Sequence, residues 1–198
     1  MQELIFATKN AGKVREFREF LAPLGIQVRD LTELEDLPEI VENGQTFEEN
    51  ALIKAQTIAE FLNQPVVAED SGLVIDALNG EPGVHSARYA ADHDDAANNA
   101  KVLERLTGFA PEKRTANFQT VIVALKPDGN KLVAKGSVHG QILDHLQGDN
   151  GFGYDPLFFY PPYNKTMAEM TAAEKNEISH RGQALKQFMR DFNAWWEA

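Results

Sequence analysis

The chain has 198 residues, 43% hydrophobic and 25% charged, with no cysteine and a formal net charge of −11. That length suits one domain or two closely joined parts and is enough to bury a core. The missing cysteines exclude disulfides, thiolate catalysis and cysteine zinc sites. An acidic chain with no Lys/Arg run is a poor partner for nucleic acid, whereas a small anionic substrate needs only a few cations gathered at one site. No apolar stretch approaches the ~18 residues of a membrane helix. The opening residues Met1 to Ala7 lack the basic region and long apolar core of a signal peptide. The expectation is a cytoplasmic protein with no membrane partner.

In chain order, Leu4-Ile5-Phe6-Ala7 is an apolar run fit for a buried first strand, and Thr8 to Lys13 is a turn. Val14, Phe17, Leu21 and Leu24 then recur at helical spacing, Gly25 closes the helix, and Ile26-Gln27-Val28 resumes as a strand. Residues 32–45 are acidic and irregular. Thr46-Phe47-Glu48-Glu49 is a capping box opening a helix to about Leu62, with Phe47, Ala51, Ala55, Ile58 and Leu62 on its buried face. Val66-Val67-Ala68 is a buried strand leading into Glu69-Asp70 and a tight turn at Ser71-Gly72. Gly80 to Gly83 is a turn, and a helix near 95–107 carries Val102, Leu103 and Leu106. Phe118 to Leu125 and Lys131 to Ile142 form a hairpin about Pro127 to Asn130. A glycine-rich loop spans Gly148 to Asp155, Thr171-Ala172-Ala173-Glu174 is a second capping box, and a last helix carries Leu185, Phe188, Phe192 and Trp195. Strands interleaved with helices, then a hairpin, predict an α/β fold with a mixed sheet and flanking helices.

Four segments could carry chemistry. Thr8-Lys9-Asn10-Ala11-Gly12-Lys13 lies between a strand and a helix, where backbone N–H groups and the helix dipole bind anions. It lacks P-loop spacing, and an ordinary turn with surface lysines explains the same residues. Glu69-Asp70-Ser71-Gly72 puts carboxylates at the end of a buried strand. Mg²⁺ needs only one or two such oxygens plus substrate phosphates, and an Asp can hold metal or activate water. A turn-forming Asp is the plainer alternative. Gly151-Phe152-Gly153-Tyr154-Asp155-Pro156 flanks an aromatic with glycines, which suits either stacking of a flat ring or core packing. Glu174 to Arg181 offers Lys175, Ser179, His180 and Arg181 as donors to an oxygen-rich ligand, or equally a charged helix surface. No second histidine stands at metal spacing from His180, and no G-x-S-x-G surrounds Ser71.

These segments, with Thr46 to Ala51 and Pro82 to Tyr89, follow the order and spacing of a known family nearly end to end. The chain resembles the inosine triphosphate pyrophosphatases, which act on non-canonical purine nucleotides. The resemblance implies a single domain over 1–198, with an elongated α/β fold whose two lobes flank a central cleft, and a homodimer. It implies hydrolysis of ITP, dITP and XTP to the monophosphate and pyrophosphate with Mg²⁺. It makes Asp70 the catalytic carboxylate and a metal ligand. It makes Thr8, Lys9, Asn10, Ala11, Gly12 and Lys13 the phosphate-side loop. Ser71, Phe152, Gly153, Tyr154, Asp155, Lys175, His180 and Arg181 become substrate contacts.

The sequence departs from the family in two places. Glu69 stands where the family often has a first aspartate, and the upstream metal carboxylate falls in the stretch Pro38 to Gly44, with Val41 at one register. Glu42 is the preferred second metal ligand and Glu39 the alternate. Two rivals stand beside hydrolysis of oxopurine nucleotides: a purine-binding regulatory module without turnover, and a pyrophosphatase for pyrimidine or modified nucleotides. The C-terminal pair Trp195-Trp196 could belong to the core or to a dimer interface, the core being preferred.

Overall fold

The first apolar run forms β1 (Gln2–Phe6), in a computed structural model that describes residues 2–198. Met1 and the side chains of Gln2 and Leu24, the last of these expected on the first helix's apolar face, lie outside the described residues. α1 (Ala11–Leu21) buries Val14, Phe17 and Leu21, and Phe17 stacks on Phe6 with ring centroids 3.9 Å apart. A 3-10 turn follows, and Gly25 at φ +71 turns the chain into β2 (Ile26–Asp30). The positive φ suits a glycine that closes a helix. The expected capping box at Thr46 opens α2 (Phe47–Leu62), with Thr46 and Glu49 bonding each other's backbone N–H.

Seven strands form one sheet in the order β2-β1-β3-β4-β5-β6-β7. β3 (Val66–Ile75), β4 (Thr115–Leu125) and β5 (Lys131–Ile142) are its long strands. β1 pairs parallel with β2 and β3, while β6 (Phe158–Tyr160) pairs antiparallel with β5 and β7 (Lys165–Thr166). The sheet is therefore mixed, as the order of elements predicts. The remaining helices are α3 (Asp95–Arg105), α4 (Ala172–Ile178) and α5 (His180–Glu197).

One local expectation is corrected. No turn interrupts the chain at Ser71-Gly72, because β3 continues to Ile75. Leu73 and Ile75 are wholly buried beyond the glycine, so apolar burial carries the strand through it. The C-terminal helical stretch comprises two helices. Ser179 is extended at ψ 158, which ends α4 and lets α5 begin at His180.

The chain groups into two compact units, one of residues 1–70, 120–136 and 182–198 and the other of 71–119 and 137–181. Each has its own core. The first is built from Leu4, Phe6, Phe17, Ile122, Phe188 and Phe192, the second from Leu73, Ile75, Val102, Phe118, Leu157 and Phe158. Trp195 is buried in the first core and Trp196 packs against it, in keeping with their expected core role. Among the described residues, no helix is long and apolar enough to cross a membrane.

Candidate active site

The first unit gathers charge around Asp70. This residue sits on β3 and is 7% exposed. Its Oδ1 accepts from Lys54 Nζ at 3.0 Å, its Oδ2 from Asn50 Nδ2 at 3.3 Å, and its carbonyl from the Thr120 hydroxyl at 3.3 Å. Asn50 and Lys54 are one turn apart on the buried face of α2, four residues being the spacing that aligns side chains. Lys54 Nζ also donates to Glu42 Oε2 at 2.7 Å. Burial opposes the Lys54 charge, but Asp70 and Glu42 outweigh it and hold the ammonium above lysine's ordinary pKa.

The irregular stretch reaches this point through Gly44. Its N–H donates to Asn50 Oδ1 at 2.8 Å, and a Cβ there would lie 2.7 Å from both that oxygen and Glu49 Cβ. Only glycine lets the loop approach α2 so closely, which brings Glu42 to Lys54. Glu39 is exposed and forms no ion pair among the described residues. The carboxylates of Asp70 and Glu42 thus converge on one cationic atom. Such a pair of hard oxygen donors suits Mg²⁺, which keeps several waters and needs few protein ligands. Asp70 and Glu42 are the oxygen donors such an ion would use, and Lys54 Nζ stands between them as their shared cation.

The loop ahead of α1 is ordered by its own polar groups. Asn10 N–H donates to Thr8 Oγ1, and Asn10 Oδ1 caps α1 by accepting from Lys13 N–H at 3.0 Å. Leu31 N–H donates to the Thr8 carbonyl. Ala11 and Gly12 form the helix start, where the first amides have no helical acceptor, an arrangement that can receive an anion. Lys9 is exposed, whereas Lys13 Nζ lies 3.7 Å from Glu69 Oε1 on a fully buried carboxylate. Glu69 thus faces the Thr8 to Lys13 loop.

The second unit gathers a different set. Lys175, His180 and Arg181 are 6%, 5% and 2% exposed, so the charged-surface explanation of this segment fails. Burying an unpaired charge is costly, and the Lys175 and Arg181 cations are held. Lys175 Nζ donates to Asp155 Oδ2 at 2.6 Å, and Arg181 Nη2 reaches Ser71 Oγ at 3.4 Å. The His180 ring stacks on Phe118 at 4.9 Å. Lys175 Nζ and Arg181 Cζ lie 4.8 Å and 5.5 Å from the Phe152 ring centre. Asp155 Oδ2 also accepts the Phe152 N–H at 2.9 Å, and a Cβ on Gly151 would meet that oxygen at 2.0 Å. Tyr154 is buried and donates its hydroxyl to the Ser86 carbonyl at 2.7 Å. Asp70 and Ser71 are consecutive on β3, the first in one unit and the second in the other.

The Ham1 family model matches residues 4–191. The chain belongs to the Ham1 family. A Ham1 relative from Lactiplantibacillus plantarum, named dITP/XTP pyrophosphatase, is 56% identical over 98% of this chain and 96% of its own. Among solved structures, a HAM1 protein from Coxiella burnetii is 43% identical with a TM-score of 0.87, covering 98% of this chain and 100% of that one. The Staphylococcus aureus Ham1 protein is 41% identical with a TM-score of 0.86, covering 98% and 99%. The mixed α/β architecture is thus that of the Ham1 fold.

Two residues beside Asp70 are not singled out by the sequence reading: Asn50, which lies within the Thr46 to Ala51 segment, and Lys54, which lies beyond it. Their signal lies in α2 itself. Phe47, Asn50, Ala51, Lys54, Ala55 and Ile58 fall on one helical stripe, and an Asn and a Lys on an otherwise apolar stripe need buried partners.

Proposed function

We propose that the chain is a magnesium-dependent nucleoside triphosphate pyrophosphohydrolase that cleaves dITP, XTP and ITP to the monophosphate and pyrophosphate. The observation that carries this reading is the buried Asp70 carboxylate, addressed at both oxygens and converging with Glu42 on one cation. Relatives of this chain bear the name dITP/XTP pyrophosphatase.

Asp70 and Glu42 would hold Mg²⁺. When bound, the ion supplies positive charge against the triphosphate and its leaving group. Asp70 orients a water and takes its proton as the water oxygen bonds to the α-phosphorus. The bond from that phosphorus to the bridging oxygen breaks, and pyrophosphate leaves. Lys54 keeps a fixed positive charge beside Asp70. Lys9, Lys13 and the amides opening α1 suit the charge that grows on the phosphate oxygens.

In the second unit, Lys175, His180 and Arg181 suit a base with oxygen at position 6. An amino group there would set a donor against donors, and sites of this kind can discriminate by about 10⁴-fold. Phe152 suits a purine face, worth about 1–3 kcal/mol by stacking. A homodimer in the cytoplasm completes the reading; it rests on the family resemblance, and sedimentation tests the dimer. The decisive assay compares kcat/KM for dITP, XTP, GTP, dATP and UTP, with and without EDTA. The reading expects dITP and XTP to lead and chelation to abolish turnover. Equal rates for all five, UTP ahead of dITP, or binding without turnover would overturn it.

A further inference from the structure

α3 reaches the Phe152 loop through two side chains that the chemistry above does not use. Asp95 and Asn99 lie four residues apart on α3 and so share a face. Asp95 Oδ2 accepts the Gly153 N–H at 2.7 Å, and Asn99 Nδ2 donates to the Gly153 carbonyl at 2.8 Å. Both backbone polar groups of one residue are therefore held from one helix. Gly153 stands at φ +62, a conformation that side chains disfavour, so its neighbours must hold the loop's path. Phe152 precedes it, with its own N–H taken by Asp155. The aromatic is thus gripped on one side by Asp155 and on the other by Asp95 and Asn99.

Asn99 bears a cost for this. It is 5% exposed, and its Nδ2 donates to the Asp95 carbonyl at 2.7 Å as well as to Gly153. Its Oδ1 is buried without a hydrogen-bond partner. An apolar side chain would avoid that unmet acceptor, so stability alone does not account for an asparagine here. Its neighbour Asn98 serves a second loop in the same way. Asn98 Oδ1 accepts from Ala90 N–H at 2.6 Å and Ala91 N–H at 3.2 Å, and Nδ2 donates to the Ala87 carbonyl at 3.3 Å. The Tyr154 hydroxyl, one residue past Gly153, bonds the Ser86 carbonyl beside that loop. One helix thereby fixes two loops that are tied to each other.

We propose that Asp95 and Asn99 are positioning residues for recognition of the oxopurine base: they hold the Gly153 peptide, and through it set the Phe152 ring beside Lys175 and Arg181 before substrate arrives. This rests on the base-binding role given above to Phe152. A preset ring lowers the ordering cost of binding, so the effect falls on affinity for the base and spares the phosphate chemistry.

The test is steady-state kinetics on dITP and XTP with Asp95→Ala, Asn99→Ala and Asp95→Asn, alongside hydrogen exchange at the Gly153 amide without substrate. Both alanine variants should raise KM about tenfold, the scale of a lost hydrogen bond to a charged or buried group, with kcat within about threefold. Asp95→Asn keeps an acceptor for the Gly153 N–H and should stay within about threefold of wild type. Gly153 exchange should quicken in Asp95→Ala while β3 exchange is unchanged. An unaltered KM, or a fall in kcat at constant KM, overturns the proposal. A wild-type protein inert on all oxopurine triphosphates sinks the enzymatic reading instead. The exchange data then decide the clamp alone, which fails if Gly153 exchange is the same in Asp95→Ala and wild type.

Discussion

Lys54 and Asp70 form one buried hydrogen-bonded ion pair, in which we propose that the lysine supports and the aspartate reacts. The Lys54 side chain is 9% exposed and the Asp70 side chain 10%, with Glu42 at 33% as the third member. Lys54→Met would leave two carboxylates facing each other. Removing one partner of a buried ion pair costs about 3–5 kcal/mol, and the partial exposure of Glu42 puts this case near 3 kcal/mol. For a chain of this length that lowers Tm by about 6–12 °C. An unchanged Tm would show that the ammonium does not hold the pair. Asp70→Asn keeps the shape of the side chain and removes the base. It should lower kcat by about 10²–10⁴-fold with the fold retained by circular dichroism, and near wild-type turnover would displace Asp70 from the reaction. Asp70 was legible from its place after a buried apolar run. Lys54 was not, because nothing in a local motif says which lysine of an acidic protein turns inward.

At the scale of elements, capping boxes were the clearest signals. Thr46 with Glu49 and Thr171 with Glu174 both bond reciprocally as their spacing predicts. Glu174 has a second duty, since it also pairs with Lys165 at 2.8 Å. The Lys165 hydrogen bond, with the Thr171 backbone and hydroxyl, pulls its pKa from the ordinary 4.5 to about 2. A depressed carboxylate stabilises the fold fully above its unfolded value and ceases to do so as pH falls through its folded value. The Glu174 contribution should therefore fade between about pH 4.5 and 2. Glu174→Gln should flatten the loss of stability across that window in acid titration. An identical acid profile in the variant would refute the assignment. Other elements were hidden for physical reasons. The turn expected at Ser71-Gly72 is absent because glycine signals a turn only where burial does not extend the strand. β6 and β7 hold three and two residues, too few to show alternation. The break at Ser179 lies within a polar run whose composition continues a helix as readily as it ends one.

At the scale of the molecule, sequence order predicted the mixed sheet, since helices between early strands demand parallel crossovers and the later hairpin demands antiparallel pairing. What it could not predict is which residues meet. The oxygen-rich cluster draws on α2, β3 and the stretch before α2, and the cationic cluster on the glycine loop, α4 and the start of α5. Those meetings follow from chain closure over long separations, which local periodicity does not encode. We propose that Asp70 aims water at the α-phosphorus. This is tested by hydrolysing dITP in ¹⁸O-labelled water and following the products by ³¹P NMR and mass spectrometry. Attack at the α-phosphorus puts one ¹⁸O in deoxyinosine monophosphate and leaves pyrophosphate unlabelled; label in pyrophosphate, or release of inorganic phosphate with the diphosphate, would contradict it.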